Sequence, residues 1–138
     1  IARAYMTDNY RHYPFLYARA YRSMIERLSR GERIVVHCTA GKDRAGTAAA
    51  MMLTVLGVPR DVVFEDYLLT NKYWDRGDRV RSDMDAATVA NIFAAREDYL
   101  QAAFAAIDAK CGNIATYLKD VLELDDASLD AFRRACLT

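Results

Sequence analysis

The residues best placed to do chemistry are a cysteine and an arginine six positions apart, Cys38 and Arg44, in the run His37-Cys38-Thr39-Ala40-Gly41-Lys42-Asp43-Arg44-Ala45-Gly46. The β-branched run Ile34-Val35-Val36-His37 precedes them and small, helix-forming residues from Arg44 to Leu56 follow. The spacing therefore predicts strand, tight loop and helix N-terminus. In that setting the successive N–H groups of Thr39, Ala40, Gly41, Lys42, Asp43 and Arg44 turn inward toward an anion, and the helix dipole adds positive potential. Such a loop suits phosphate. The same dipoles and Arg44 favour thiolate over thiol at Cys38, which makes it a nucleophile. Arg44 offers a planar fork of donors that can hold two phosphoryl oxygens, a task for which the point charge of lysine is less suited.

A cysteine after a buried strand is by default a structural thiol. Here the preceding His37, the central Gly41, the following Gly46 and the strand-to-helix setting all agree on the reactive reading. Gly41-Lys42 does not make a nucleotide-binding loop, because Val36 stands where that motif needs its first glycine and Asp43 where it needs serine or threonine.

The elements that must position this loop are mostly helical. Apolar residues from Pro14 to Ser29 fall on one helical face, with Gly31 as a stop. Ile34 to His37 is the one strand, expected to be buried on both faces as in a parallel sheet. Arg44 to Leu56 is a helix closed by Gly57, and Pro59 opens another toward Tyr67 or Asn71. Lys72 to Asp85 is polar and broken at Arg76-Gly77-Asp78, hence a loop. Helices follow over Ala86 to Ala95 and Glu97 to Lys110; Asn113 caps a short one to Val121, and Asp125 or Asp126 caps the last. A lone buried strand leaves N–H and C=O groups unpaired on both edges, at about 1 to 3 kcal/mol each. The expectation is an α/β domain with a parallel-containing central sheet flanked by helices, of which residues 1–138 are the C-terminal part, the other strands lying N-terminal to Ile1.

Composition narrows the function. Of 138 residues 53% are hydrophobic and 28% charged, with 19 Lys and Arg against 19 Asp and Glu. This is a globular composition without the positive field that holds a nucleic-acid backbone. The apolar run from Ala48 to Val58 is shorter than the ~20 residues that cross a bilayer. Cys38, Cys111 and Cys136 form no disulfide framework, and with His12 and His37 they show no metal-ligand spacing. No metal or cofactor is expected, and a reducing compartment fits.

The string His37-Cys-Thr-Ala-Gly-Lys-Asp-Arg44 resembles the protein tyrosine phosphatase superfamily. Its Gly-Lys-Asp-Arg core resembles the atypical bacterial branch that acts on phosphotyrosine and phosphoinositides and includes a lid-bearing secreted phosphatase of mycobacteria. Leu56-Gly57-Val58-Pro59, Asp66-Tyr67-Leu68-Leu69-Thr70-Asn71 and Cys111-Gly112-Asn113 through Tyr117-Leu118 follow that family's order. The resemblance implies a metal-free, two-step reaction on a phosphorylated protein or phosphoinositide, with Cys38 forming a phosphocysteine that water hydrolyses. A bacterial protein, cytoplasmic or secreted, is implied with it. Asp43 is then the general acid, against the alternative that it only caps the following helix; Asp8, in the approach segment, is the second candidate.

Lys42 is read either as extra charge for a multiply phosphorylated headgroup or as a solvated rim lysine. His37 is expected buried, fixing Cys38, while Cys111 and Cys136 pack helices. Of Tyr5, Tyr10, Tyr13, Phe15, Tyr17 and Tyr21, most are core and one or two wall the cleft. Lys72, Arg76, Arg79 and Arg81 form a solvated loop, or a mobile cover over the site as in the resembling family. One residue departs from the family: Ala45 stands where a serine or threonine hydroxyl would stabilise the leaving thiolate. That keeps a rival open, a module that binds phosphorylated ligands with little or no turnover.

Overall fold

In the computed structural model, which describes residues 1–75, 77 and 80–137, the chain before the loop forms two helices where the apolar spacing predicts one. α1 runs Ala2–Leu16 and α2 runs Ala18–Ser29. Proline is favoured at a helix start, but α1 carries through Pro14, which is buried in its last turn. Proline has no N–H to continue the hydrogen-bond ladder, and the chain bends at Tyr17, φ −106° and ψ 16°. The Pro14 carbonyl accepts instead from the Tyr117 hydroxyl at 2.5 Å. Asp8 therefore lies within a helix rather than on an approach segment.

α3 (Arg44–Val55) is the central helix, burying Thr47, Ala48, Ala50, Met51, Met52 and Val55. Its small residues let α1, α2 and α4 (Arg60–Leu68) approach it closely. α5 is the short Thr70–Tyr73, α6 is Ala86–Phe93 and α7 is Glu97–Cys111. α8 (Ile114–Asp120) and α9 (Asp126–Cys136) complete the order. α1 packs on α6 and α7, and α2 on α9. Side chains from these layers, among them Tyr10, Ile25, Phe104 and Phe132, meet in one core. The expected caps are made: Asn113 Oδ1 accepts from the Thr116 amide and Asp125 Oδ1 from that of Ser128, both at 2.8 Å. Each is worth about 1 kcal/mol.

The expected strand is not present. Residues 34–37 are extended, but there is no strand among the described residues. Val35 is 89% exposed and Val36 42%, the reverse of burial on both faces. β-branched side chains favour extended backbone locally, yet a strand needs a neighbour for its ladder, and none of the described segments pairs with this one. His37, expected buried, is exposed for the same reason.

Lys72 and Arg81 of the basic group are exposed, and Arg81 pairs with Asp83 at 2.8 Å. Arg76, Asp78 and Arg79 lie outside the described residues. Among the described residues no helix is long and apolar enough to cross a membrane.

Candidate active site

The loop wraps around the sulfur of Cys38. Gly41 turns the chain at φ 71°, a left-handed conformation that side chains with a Cβ resist. α3 then begins with Gly46 N–H donating to the Lys42 carbonyl at 3.1 Å and Thr47 N–H to that of Asp43 at 2.9 Å. The amides of Ala40, Gly41 and Ala45 donate to Cys38 Sγ. Burial pushes the Cys38 thiol up, but those three amides and the Arg44 guanidinium outweigh it, and the group lies below its ordinary range. Arg44 Nη2 donates to Thr39 Oγ1 at 2.9 Å, so the fork is tied to the shoulder of the loop that holds the sulfur.

Asp43 occupies the N-cap position of α3, yet its side chain makes no capping bond. Its Oδ1 accepts instead from the Tyr10 hydroxyl and from Lys42 Nζ, each at 2.7 Å. Tyr10 has one proton and gives it to Asp43, so the Tyr67 hydroxyl, 2.6 Å away, donates to Tyr10. Burial, then the proximity of Tyr67 and Asp43, hold the Tyr10 phenol far above its ordinary range, so it stays a neutral donor. Gly46 makes room for this arrangement. A Cβ there would lie 3.2 and 3.3 Å from two carbons of the Tyr67 ring.

Neither reading of the Lys42 side chain describes it. The residue is 2% exposed, with its ammonium on Asp43 and on the carbonyls of Ile92 and Ala94 at 3.0 and 3.2 Å. Only its main chain is left to face an anion in the loop. Tyr10 and Tyr67 are site residues that the sequence does not single out, since α1 is not read as a helix there and Tyr10 passes as one core ring among several.

The remaining candidates separate. Asp8 is exposed beside His12, and two residues along a helix from Tyr10 it faces away from Asp43. Thr47 is fully buried and its hydroxyl donates to the Asp43 carbonyl at 2.8 Å, so it does not serve the sulfur. Cys111 packs against the core, but Cys136 is exposed and lies outside that cluster. Tyr17 and Tyr21 wall an open groove of about 610 Å³ that contains Cys38 and Arg44. Arg27, Arg33 and His37 also line it, with Ile34, Val35 and Val36 of the unpaired segment, and among the described residues no carboxylate does.

A Cupriavidus necator protein that carries the provisional name of a tyrosine-protein phosphatase is 34% identical over 132 residues, covering 91% of this chain and 48% of the relative. The triple specificity protein phosphatase PtpB of Mycobacterium tuberculosis is 31% identical over 138 residues, covering 86% of this chain and 50% of that protein. A tyrosine-protein phosphatase of Nostoc commune is 40% identical over 40 residues, 29% of this chain and 14% of its own length. The chain spans about half the length of the first two. Residues 1–138 match the tyrosine phosphatase family from end to end, and with the Cys38 to Arg44 loop at its centre the chain belongs to that family.

Proposed function

We propose that this chain carries the reacting centre of a phosphatase that hydrolyses phosphate monoesters, phosphotyrosine foremost. The observation that carries the reading is the sulfur of Cys38 held by three amides beside Arg44. The Cys38 thiolate attacks phosphorus in line, the S–P bond forms and the ester P–O bond breaks, while the Arg44 fork holds two equatorial oxygens. The departing oxygen takes its proton from Asp43. Water then attacks phosphorus and gives a proton to the Asp43 carboxylate, the S–P bond breaks, and inorganic phosphate leaves with the thiolate restored.

Arg44 beside the sulfur suits an anionic substrate. A phosphoinositide headgroup would not draw its extra charge from Lys42, which is engaged inside. On the same reading the chain is one part of a single phosphatase domain, and strands outside residues 1–138 pair with residues 34–37. The exposure of Val35 and the half-length match to the relatives support this.

The rival, a binding module without turnover, rests on Ala45 lacking a hydroxyl. Phosphate release by the intact encoded protein separates the two readings. Turnover that Cys38→Ser abolishes, with vanadate still bound, supports the enzyme; vanadate binding without turnover in the wild type supports the module.

A further inference from the structure

Lys42 joins two places that the reaction alone does not connect. A lysine ammonium has three protons, and here each has an acceptor: Asp43 Oδ1 at 2.7 Å and the carbonyls of Ile92 and Ala94 at 3.0 and 3.2 Å. Ile92 lies in the last turn of α6 and Ala94 is the residue that ends it. Carbonyls at a helix C-terminus have no amide of their own helix to accept from, and the helix dipole favours a cation there. One buried ammonium thus caps α6 and grips the carboxylate of the loop.

α6 itself is lightly held, since none of its residues is fully buried. Its end is fixed next door by a two-way clasp. Asn71 Nδ2 donates to the Ala95 carbonyl and the Ala95 amide donates to Asn71 Oδ1, both at 2.8 Å. Burying an ion pair is by itself weak support for stability, because an apolar pair of similar volume is often as good. Orientation is the better account of this one. Lys42 and Tyr10 both hold Oδ1, which sets the plane of the carboxyl group and leaves Oδ2 for a leaving oxygen.

We propose that Lys42 is a positioning residue for Asp43, and that the clasped end of α6 sets where Lys42 holds that carboxylate. The inference rests on Asp43 as the proton donor of the proposed function. It adds that Asn71 and the end of α6 at Ile92, Ala94 and Ala95, remote in sequence from the loop, tune protonation of the leaving group and not attack by Cys38.

The test compares kcat/KM for phenyl phosphate, a poor leaving group, with that for p-nitrophenyl phosphate, an activated one, in the intact encoded protein. Lys42→Met should lose at least ~10-fold more on phenyl phosphate than on p-nitrophenyl phosphate. Asn71→Ala, outside the loop, should show the same bias at roughly three-fold. In an Asp43→Asn background, Lys42→Met should add no further bias, because both changes act through one carboxyl group. Equal losses on the two substrates, or a full extra bias in the Asp43→Asn background, would overturn the inference. If Lys42→Met does not fold, Asn71→Ala decides by the same criterion. A wild type with no turnover, or an Asp43→Asn variant with no bias at all, would instead refute the proposed function and the inference with it.

Discussion

The main-chain amide of Ala45 donates to the sulfur of Cys38, at the one residue where this loop lacks the hydroxyl that its family carries. The amides of Ala40 and Gly41 share the sulfur, while the Thr47 hydroxyl donates to the Asp43 carbonyl and Thr39 Oγ1 accepts from Arg44. A leaving thiolate is therefore already solvated by main chain. Adding one neutral donor by Ala45→Thr should raise kcat by about five-fold, the equivalent of ~1 kcal/mol, with kcat/KM little changed. Rapid-quench measurement of the burst of leaving group checks it. A gain of a hundred-fold would mean that the amides do not do this work.

The Cys38 thiol should ionise more readily than an ordinary thiol. Burial alone would raise its pKa, and the amides and Arg44 reverse that. Its alkylation by iodoacetamide should therefore reach half its maximal rate below the ordinary thiol value of ~8.5. Arg44→Ala removes one of the lowering influences and should move the midpoint upward, while the three amides keep part of the effect. An unmoved midpoint would contradict the assigned role of Arg44.

Asp43→Asn should harm phenyl phosphate far more than p-nitrophenyl phosphate, by roughly 10²-fold or more on the former, and should flatten the basic limb of the pH profile. The Asp43 side chain makes no capping bond to α3, and asparagine can still accept from Lys42 and Tyr10. Because the buried Lys42 ammonium loses its counter-charge, Tm should also fall clearly. Equal losses on both substrates would contradict the acid role.

Much of this site is legible in sequence because its chemistry is local. Cys38, Thr39 and Arg44 lie within seven residues, and the helix that must follow is written in small residues and ends at a glycine. The Asn113 and Asp125 caps are equally local. What is hidden depends on partners far along the chain. Lys42 finds its carbonyls 50 and 52 residues away, and the loop sequence says nothing of them. Tyr10 meets Asp43 from 33 residues away, on a helix masked by the proline that resembles its start. The strand at 34–37 fails in the other direction, since its local preference is clear but pairing is not a local property.

Gly46→Ala tests the packing behind Asp43. An alanine in a helix interior ordinarily gains up to ~1 kcal/mol over glycine. Here the new Cβ meets the Tyr67 ring at 3.2 Å, and moving that ring disturbs the Tyr67 to Tyr10 to Asp43 series. The expected result is no rise in Tm and a several-fold loss of kcat on phenyl phosphate. A higher Tm with full activity would show that the ring yields freely.

Passage of phosphorus through the sulfur of Cys38 can be caught directly by trapping. The intact encoded protein is mixed with a good substrate, quenched in acid within the burst, and the peptide containing Cys38 is read by mass spectrometry. One phosphoryl group is expected on Cys38, present at the earliest quench times and absent from Cys38→Ser. Steady release of phosphate with no phosphoryl group on that peptide, or a phosphoryl group on another residue, would contradict it.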